Sequence, residues 1–170
     1  LVDTALMGHL ENTKYLAATS IATSSISLIF WSFGFLRMGT TGIVAQSLGK
    51  GDYREIVLTI VRNLYFAIIV GFTIIFLKYP ILNLISYFFN VSNETYILIQ
   101  KYISIRLFSA PAEFVMYVLV GLYLGLQKTK ISSLIISFFS ILNIILSIYF
   151  VKKLNLDIAG VALGTTLSAY

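Results

Sequence analysis

Residues 131–151 read ISSLIISFFSILNIILSIYFV, and this stretch decides the class of fold. It contains no charged side chain over 21 residues. An α-helix needs about 20 predominantly apolar residues to cross the hydrocarbon core of a bilayer. A strand of a membrane barrel would instead alternate between apolar and polar residues over only about ten positions. The stretch therefore predicts a membrane-spanning helix.

The composition extends this prediction to the rest of the chain. Of the 170 residues, 58% are hydrophobic and 11% are charged, and the mean hydropathy is +0.91. Soluble domains carry about 25% charged residues, so a soluble globule of this size could not bury so much apolar surface. The lipid bilayer is therefore the expected surrounding medium of the chain.

The charges and the cysteine count exclude other classes of protein. The chain has no cysteine, which excludes disulfides, iron–sulfur clusters and cysteine-ligated zinc. Its net charge of +5 is expected to lie in loops at the lipid headgroups, so we expect no nucleic-acid partner. The sequence lacks the H-E-x-x-H and G-x-S-x-G signatures and a P-loop. We expect no enzyme, no resident metal and no cofactor.

Apolar runs separated by polar loops predict an all-α membrane protein, a polytopic bundle of about six transmembrane helices. The first and the sixth are expected to be truncated, because the chain begins and stops within apolar runs. The second is rich in small residues and is expected to lie centrally in the bundle. Pro111 is expected to bend the fourth, and residues 81–93 to finish the third. The predicted helices cover residues 1–10, 15–48, 56–77, 94–126, 131–151 and 158–170.

Asp3 is the first candidate for a functional residue. A carboxylate at membrane depth costs roughly 2.5–3.5 kcal/mol on insertion scales, so such a residue is a functional candidate by default. In this environment it could take up and release a proton or bind a cation. The alternative is that Asp3 lies near a helix end and faces headgroup water.

A second set of candidates lies on the fifth and sixth predicted helices. Asn143 and Ser147 are four residues apart, which places them on one helix face, and Thr165 and Thr166 bring hydroxyls to a similar depth. The oxygens of amide and hydroxyl groups can coordinate Na⁺, and their N–H and O–H groups can stabilise a carboxylate. The alternative is that they only form interhelical hydrogen bonds, each contributing about 0.6 kcal/mol.

Three charged residues within the spans complete the candidates. Arg106 and Glu113 are seven residues apart, which is two turns of one helix face, and they could relay charge or pair with neighbours. Arg37 lies in the polar half of the long second helix and could face a cavity. The single histidine, His9, is expected to be interfacial rather than a metal ligand.

Several strings occur together in an order that carries a resemblance. They are Val2-Asp3-Thr4, Gly8-His9-Leu10, Gly34-Phe-Leu-Arg-Met-Gly-Thr-Thr-Gly42, Ala45-Gln46-Ser-Leu-Gly49, Ala110-Pro-Ala112, Leu142-Asn-Ile144 and Ala159-Gly-Val-Ala-Leu163. The ordered set resembles the multidrug and toxic compound extrusion (MATE) transporters over the whole chain. The string at 34–42 is similar to the branch named after DNA-damage-inducible protein F.

The resemblance implies a parent with twelve helices in two six-helix lobes around a central cavity. Residues 1–170 would then be most of the N-terminal lobe of a multi-pass protein of the cell (inner or plasma) membrane. The missing C-terminal lobe would be the partner of this lobe. The family's first-helix aspartate matches Asp3, its fifth-helix asparagine Asn143 and its sixth-helix threonine Thr165. Many members carry an acid four residues after the asparagine, where this chain has Ser147.

The resemblance also implies a function. It predicts an antiporter that exports amphiphilic, often cationic, small molecules in exchange for a coupling cation. Asp3 would be the sole acid of the cation site, which favours H⁺ over Na⁺. Two alternatives remain open at this stage, a truncated membrane remnant that transports nothing and a lipid-precursor flippase of the same superfamily.

Overall fold

The computed structural model describes residues 13–89, 92–154 and 156–170, and the predicted helix over 1–10 lies outside them. The described residues form helices and no strand. The helices are α1 Thr13–Ser32, α2 Phe35–Gly49, α3 Tyr53–Phe76, α4 Lys78–Phe89, α5 Asn93–Arg106, a 3-10 turn at Leu107–Ser109, α6 Ala110–Gly125, α7 Thr129–Lys152 and α8 Asp157–Ala169.

Four segments of the described chain are long and apolar enough to cross a membrane. Two of them combine consecutive helices, because α1 continues into α2 and α5 continues into α6. The all-α membrane class predicted from the sequence is confirmed. The segments are Ala17–Gly49, Tyr53–Phe76, Asn93–Gly125 and Thr129–Lys152.

The structure divides the predicted stretches 15–48 and 94–126, the latter at the 3-10 turn before Pro111, and it separates residues 81–89 from the third helix. The stretch predicted over 15–48 contains a turn at Phe33 and Gly34, whose backbone N–H groups donate to carbonyls three residues earlier. Glycine costs about 1 kcal/mol in a helix interior, which makes this a weak point. Residues 81–93 do not finish the third helix. α3 ends at Phe76 and α4 starts at Lys78, because Pro80 in a continuous helix would clash with the carbonyl four residues earlier.

Local sequence explains how α3 begins. Gly51 has a φ of +72°, a conformation that glycine adopts without steric cost. Asp52 follows as the N-cap of α3, and its carboxylate accepts a hydrogen bond of 3.0 Å from the backbone N–H of Glu55. The loop Lys50–Asp52 therefore acts as a turn and a helix cap.

Small residues allow the close helix contacts of the bundle. A Cβ atom on Gly121 of α6 would lie 2.6 Å from the Arg37 carbonyl oxygen, so α2 and α6 pack backbone to backbone. α8 packs on α7 in the same way and also contacts α5. Phe114 of α6 is fully buried against α1 and the turn after it, and its ring centroid lies 5.5 Å from that of Phe30 and 4.8 Å from that of Phe33. The apolar core around Phe114 supports the polar side chains described next.

Candidate functional site

A hydrogen bond joins the fifth and sixth predicted helices at the expected residues. Asn143 Nδ2 on α7 donates to Thr165 Oγ1 on α8 at 2.7 Å, and Thr165 Oγ1 donates to the Val161 carbonyl at 3.1 Å. Thr165 is buried and Asn143 is half-buried. Because the Asn143 amide uses an N–H group in this bond, its carbonyl oxygen can still accept a hydrogen bond or coordinate a cation.

Ser147 lies one helical turn from Asn143 and faces the same neighbouring helix. Its side chain is 0% exposed, and its hydroxyl has no hydrogen-bond partner within the described part of the chain. The contact with α8 is close, since a Cβ atom on Gly164 would lie 2.5 Å from Ser147 Oγ. An unsatisfied buried hydroxyl costs about 1–3 kcal/mol, so this oxygen is suited to an additional polar partner.

Two sequence candidates cannot be placed relative to this pair. Asp3 and His9 lie outside the described residues. Among the residues that are described, no three His, Asp or Glu side chains come together as a metal site would require. The described part of the candidate cation site therefore consists of the neutral side chains of Asn143, Ser147 and Thr165.

A second polar group lies at the junction of α5 and α6, and we call it the polar cluster; it consists of Arg106, Ser109 and Glu113. Arg106 Nη1 donates to Glu113 Oε1 at 2.5 Å and also to the Ser109 hydroxyl. That hydroxyl can donate to Glu113 Oε1 at 3.0 Å or to the Arg106 carbonyl at 2.8 Å. Arg106 and Glu113 are 9% and 6% exposed. The two charges therefore form a buried, hydrogen-bonded ion pair.

The polar cluster opens onto a recess of about 650 Å³ beside α1. The Arg106 guanidinium lies 5.2 Å from the ring centroid of Phe30, within the range of a cation–π contact. Arg37 is exposed, and no hydrogen bond joins it to the cluster in the described chain. The recess is lined by Ser24, Ser27, Phe30, Trp31, Glu113 and Tyr117.

The polar cluster spans a break in the helix. The 3-10 turn at Leu107–Ser109 separates α5 from α6, and Pro111 follows it without a backbone N–H. α8 contacts this break through two hydroxyls. Thr166 Oγ1 can donate to the Ala162 carbonyl of its own helix at 2.8 Å or to the Ile105 carbonyl of α5 at 3.2 Å. The Tyr170 phenol donates to the Phe108 carbonyl at 2.9 Å. The break is thus held by α8 as well as by the ion pair.

Some of these residues were not predicted from the sequence. Ser109 lies three residues after Arg106 and four before Glu113, and this helical spacing could have revealed it. The bonds of Thr166 and Tyr170 to α5 and the break join residues about 60 positions apart. No local pattern marks these contacts.

A separate recess of about 870 Å³ lies between α3, α6, α7 and α8. Its lining contains no carboxylate, lysine or arginine, so it offers room for an apolar group rather than a site for a cation. The walls include Phe72, Met116, Leu119, Phe138, Phe139 and Leu142.

Comparison with known proteins places this geometry in a family. The MatE family model matches residues 1–149. The chain is 34% identical over all 170 residues to DNA damage-inducible protein F of Escherichia coli (strain K12), and covers 37% of that protein. It is 27% identical over 169 residues to the multidrug export protein MepA of Staphylococcus haemolyticus (strain JCSC1435), covering 99% of this chain and 37% of MepA.

Solved structures share the fold. A crystal structure of MATE in complex with MaD3S superposes with a TM-score of 0.91 at 24% identity, over 99% of this chain and 38% of that one. An outward-facing multidrug resistance MATE family transporter of the MOP superfamily gives 0.88 at 24% identity, over 98% and 37%. The chain thus spans little more than a third of the proteins it matches. On the family match and the 34% identity, this chain belongs to the MatE family of transporters.

Proposed function

We propose that this chain is the N-terminal lobe of a secondary antiporter in the cell membrane, which exports amphiphilic, often cationic, small molecules in exchange for a cation. Membership of the MatE family and relatives named as multidrug export proteins support transport of this class. A C-terminal lobe would supply the opposite wall of the cavity. The coverage of about 37% of those relatives is consistent with such a partner.

The observation that carries the proposal is the Asn143–Thr165 hydrogen bond beside the Ser147 hydroxyl. These side chains bring three polar groups together between α7 and α8, in a bundle whose lipid-facing surface is apolar. Polar groups inside a membrane bundle are expensive and mark ion or substrate pathways. The matched family aspartate, Asp3, would supply the charge that these neutral groups lack.

In the proposed cycle, a cation moves down its gradient and neutralises Asp3. The Asn143 amide and the neighbouring hydroxyls would hydrogen-bond the carboxylate or coordinate the ion. Neutralisation removes the preference of α7 and α8 for one packing, and the cavity changes shape so that the substrate leaves. One charge crossing 100 mV supplies about 2.3 kcal/mol per cycle. With Ser147 in place of a second acid, we propose H⁺ as the coupling ion rather than Na⁺.

The test uses the complete gene product that contains residues 1–170, reconstituted into lipid vesicles with an imposed pH gradient and a fluorescent cationic dye. We expect dye movement that depends on the gradient, and its loss in Asp3→Asn and Asn143→Ala. The matched control is Ser140→Ala on the same helix. Its exposed hydroxyl only donates to the Ile136 carbonyl of its own helix, at 2.8 Å. Dye movement at the normal rate in Asp3→Asn would refute the proposed coupling role.

A further inference from the structure

The last two turns of α8 connect the two polar groups of the structure. Thr165 and Thr166 are consecutive residues, so their side chains point about 100° apart around the helix axis. Thr165 bonds to Asn143 of α7. The Thr166 hydroxyl lies 3.2 Å from the Ile105 carbonyl of α5 and shares its proton between that carbonyl and the Ala162 carbonyl of its own helix, at 2.8 Å. A rotation or shift of α8 that changed one bond would therefore change the other.

The segment that receives the second bond is a weak point of its helix. Continuous α-helical bonding stops at the 3-10 turn Leu107–Ser109, and the Ala110 N–H donates to the carbonyl only three residues earlier. Pro111 has no N–H to donate to the Leu107 carbonyl, four residues earlier. The neighbouring carbonyls of Ile105 and Phe108 can accept hydroxyls from Thr166 and Tyr170. The shape of the break consequently depends on α8 and not only on α5 and α6.

The polar cluster also spans this break, through the contacts among Arg106, Ser109 and Glu113. Arg106 is the last residue of α5, and Glu113 is in the first turn of α6, so their ion pair fixes one helix relative to the other. Both line the recess beside α1. A change of angle at the break would move Arg106 relative to Glu113 and alter that recess.

From these contacts we propose that the Leu107–Ser109 break is a hinge that couples the Asn143–Thr165 site to the recess beside α1. Thr166 and Tyr170 are its positioning residues on α8, and the ion pair of Arg106 with Glu113 holds one angle of the hinge. This inference rests on the proposed function, because the coupling would allow cation binding to change the shape of the substrate cavity.

A thiol reporter measures this coupling without any transport. The chain has no cysteine, so Ser27→Cys in the exposed wall of the recess gives one label site in residues 1–170. Other cysteines of the complete gene product are removed, and the rate of maleimide labelling is followed in detergent. Coupling between two sites of a protein typically changes the affinity at one of them by about 5–150-fold. We therefore expect Asn143→Ala to change the labelling rate by at least about fivefold.

The hinge predicts where that effect disappears. Thr166→Val keeps the side-chain shape but removes the hydroxyl, and with it the bonds to Ile105 and to Ala162 of its own helix. In this background, Asn143→Ala should no longer change the rate. Thr73→Val is the matched control, because the Thr73 hydroxyl bonds only to Ile69 of its own helix, at 2.8 Å. If Thr166→Val does not fold, Tyr170→Phe replaces it, since Tyr170 is 76% exposed and loses only its bond to Phe108.

Two results would overturn the hinge. One is that Asn143→Ala leaves the labelling rate unchanged. The other is that Asn143→Ala changes the rate by the same factor whether or not the α8 hydroxyl has been removed. Dye transport by the same proteins is measured separately. If the effect of Asn143→Ala on labelling depends on the α8 hydroxyl but no dye is transported, the proposed function is refuted and the hinge is supported. If dye is transported but the labelling rate shows no such dependence, only the hinge is refuted.

Discussion

Replacing Glu113 by alanine should destabilise the protein more than any other loss of a single charge in the described chain. The substitution removes the carboxylate that pairs with the buried Arg106 guanidinium, which is 9% exposed and also contacts the Ser109 hydroxyl and the Phe30 ring. Removing one partner of a buried ion pair costs about 3–5 kcal/mol, because the remaining charge is uncompensated. We expect a loss of this size in the free energy of unfolding.

The double variant Arg106→Met/Glu113→Leu separates this cause from a loss of packing. It removes both charges and keeps approximately the volume of both side chains. Replacing a buried pair by apolar residues is often neutral, or stabilising by about 1–4 kcal/mol. The double variant should therefore be more stable than Glu113→Ala alone, although it changes more atoms.

Unfolding in mixed SDS micelles, followed by the loss of helical circular dichroism, gives the free energies. Glu55→Ala is the control, because the Arg62–Glu55 pair is 3.7 Å apart and its side chains are 67% and 40% exposed. Screening by water limits such a pair to about 0–1 kcal/mol. The reasoning is refuted if Glu113→Ala costs no more than Glu55→Ala, or if the double variant is as unstable as the single one.

Three further substitutions test other contacts. Gly164→Ala should cost about 1–3 kcal/mol of stability in the same unfolding assay, because the new Cβ would lie 2.6 Å from the Ser147 backbone nitrogen. Gly39→Ala is the control, since a Cβ at Gly39 meets no atom within 4 Å, and it should be neutral or slightly stabilising. Asp52→Ala should cost about 0.5–2 kcal/mol through loss of the α3 cap, and Asp52→Asn, which keeps an acceptor, should restore most of it. Ser147→Asp should add Na⁺ dependence or a new titration to dye transport, and unchanged pH and Na⁺ profiles would place Ser147 outside the cation site.

Regular helical spacing made part of the candidate site predictable. Asn143 and Ser147 are one turn apart, and both face α8 in the structure. Arg106 and Glu113 are two turns apart, and they form an ion pair even though a 3-10 turn lies between them. These side chains could be expected to share a face because the period of a helix fixes which residues lie on one side, whereas their roles stay predictions.

The contacts between helices could not be predicted in the same way. Thr166 bonds to α5 and Tyr170 to the 3-10 turn, and each choice of partner depends on how α8 is placed in three dimensions. The end of the third predicted helix at residue 77 agrees with the structure, but residues 81–93 were wrongly assigned to the same helix. The steric effect of Pro80 on the preceding turn was available from the sequence and argues against that continuation. The role of Asp3 stays a prediction, since that residue lies outside the described chain.

The position of the polar residues argues that the bundle is built to move. A rigid membrane bundle gains nothing from a buried ion pair, because apolar side chains of similar volume would serve stability equally well or better. This chain nevertheless places one across a break in a helix, at Arg106 and Glu113. It also leaves the buried Ser147 hydroxyl without a hydrogen-bond partner among the described residues. Both features cost stability in one static packing, and both become useful if the helices exchange between two packings in which the polar contacts differ.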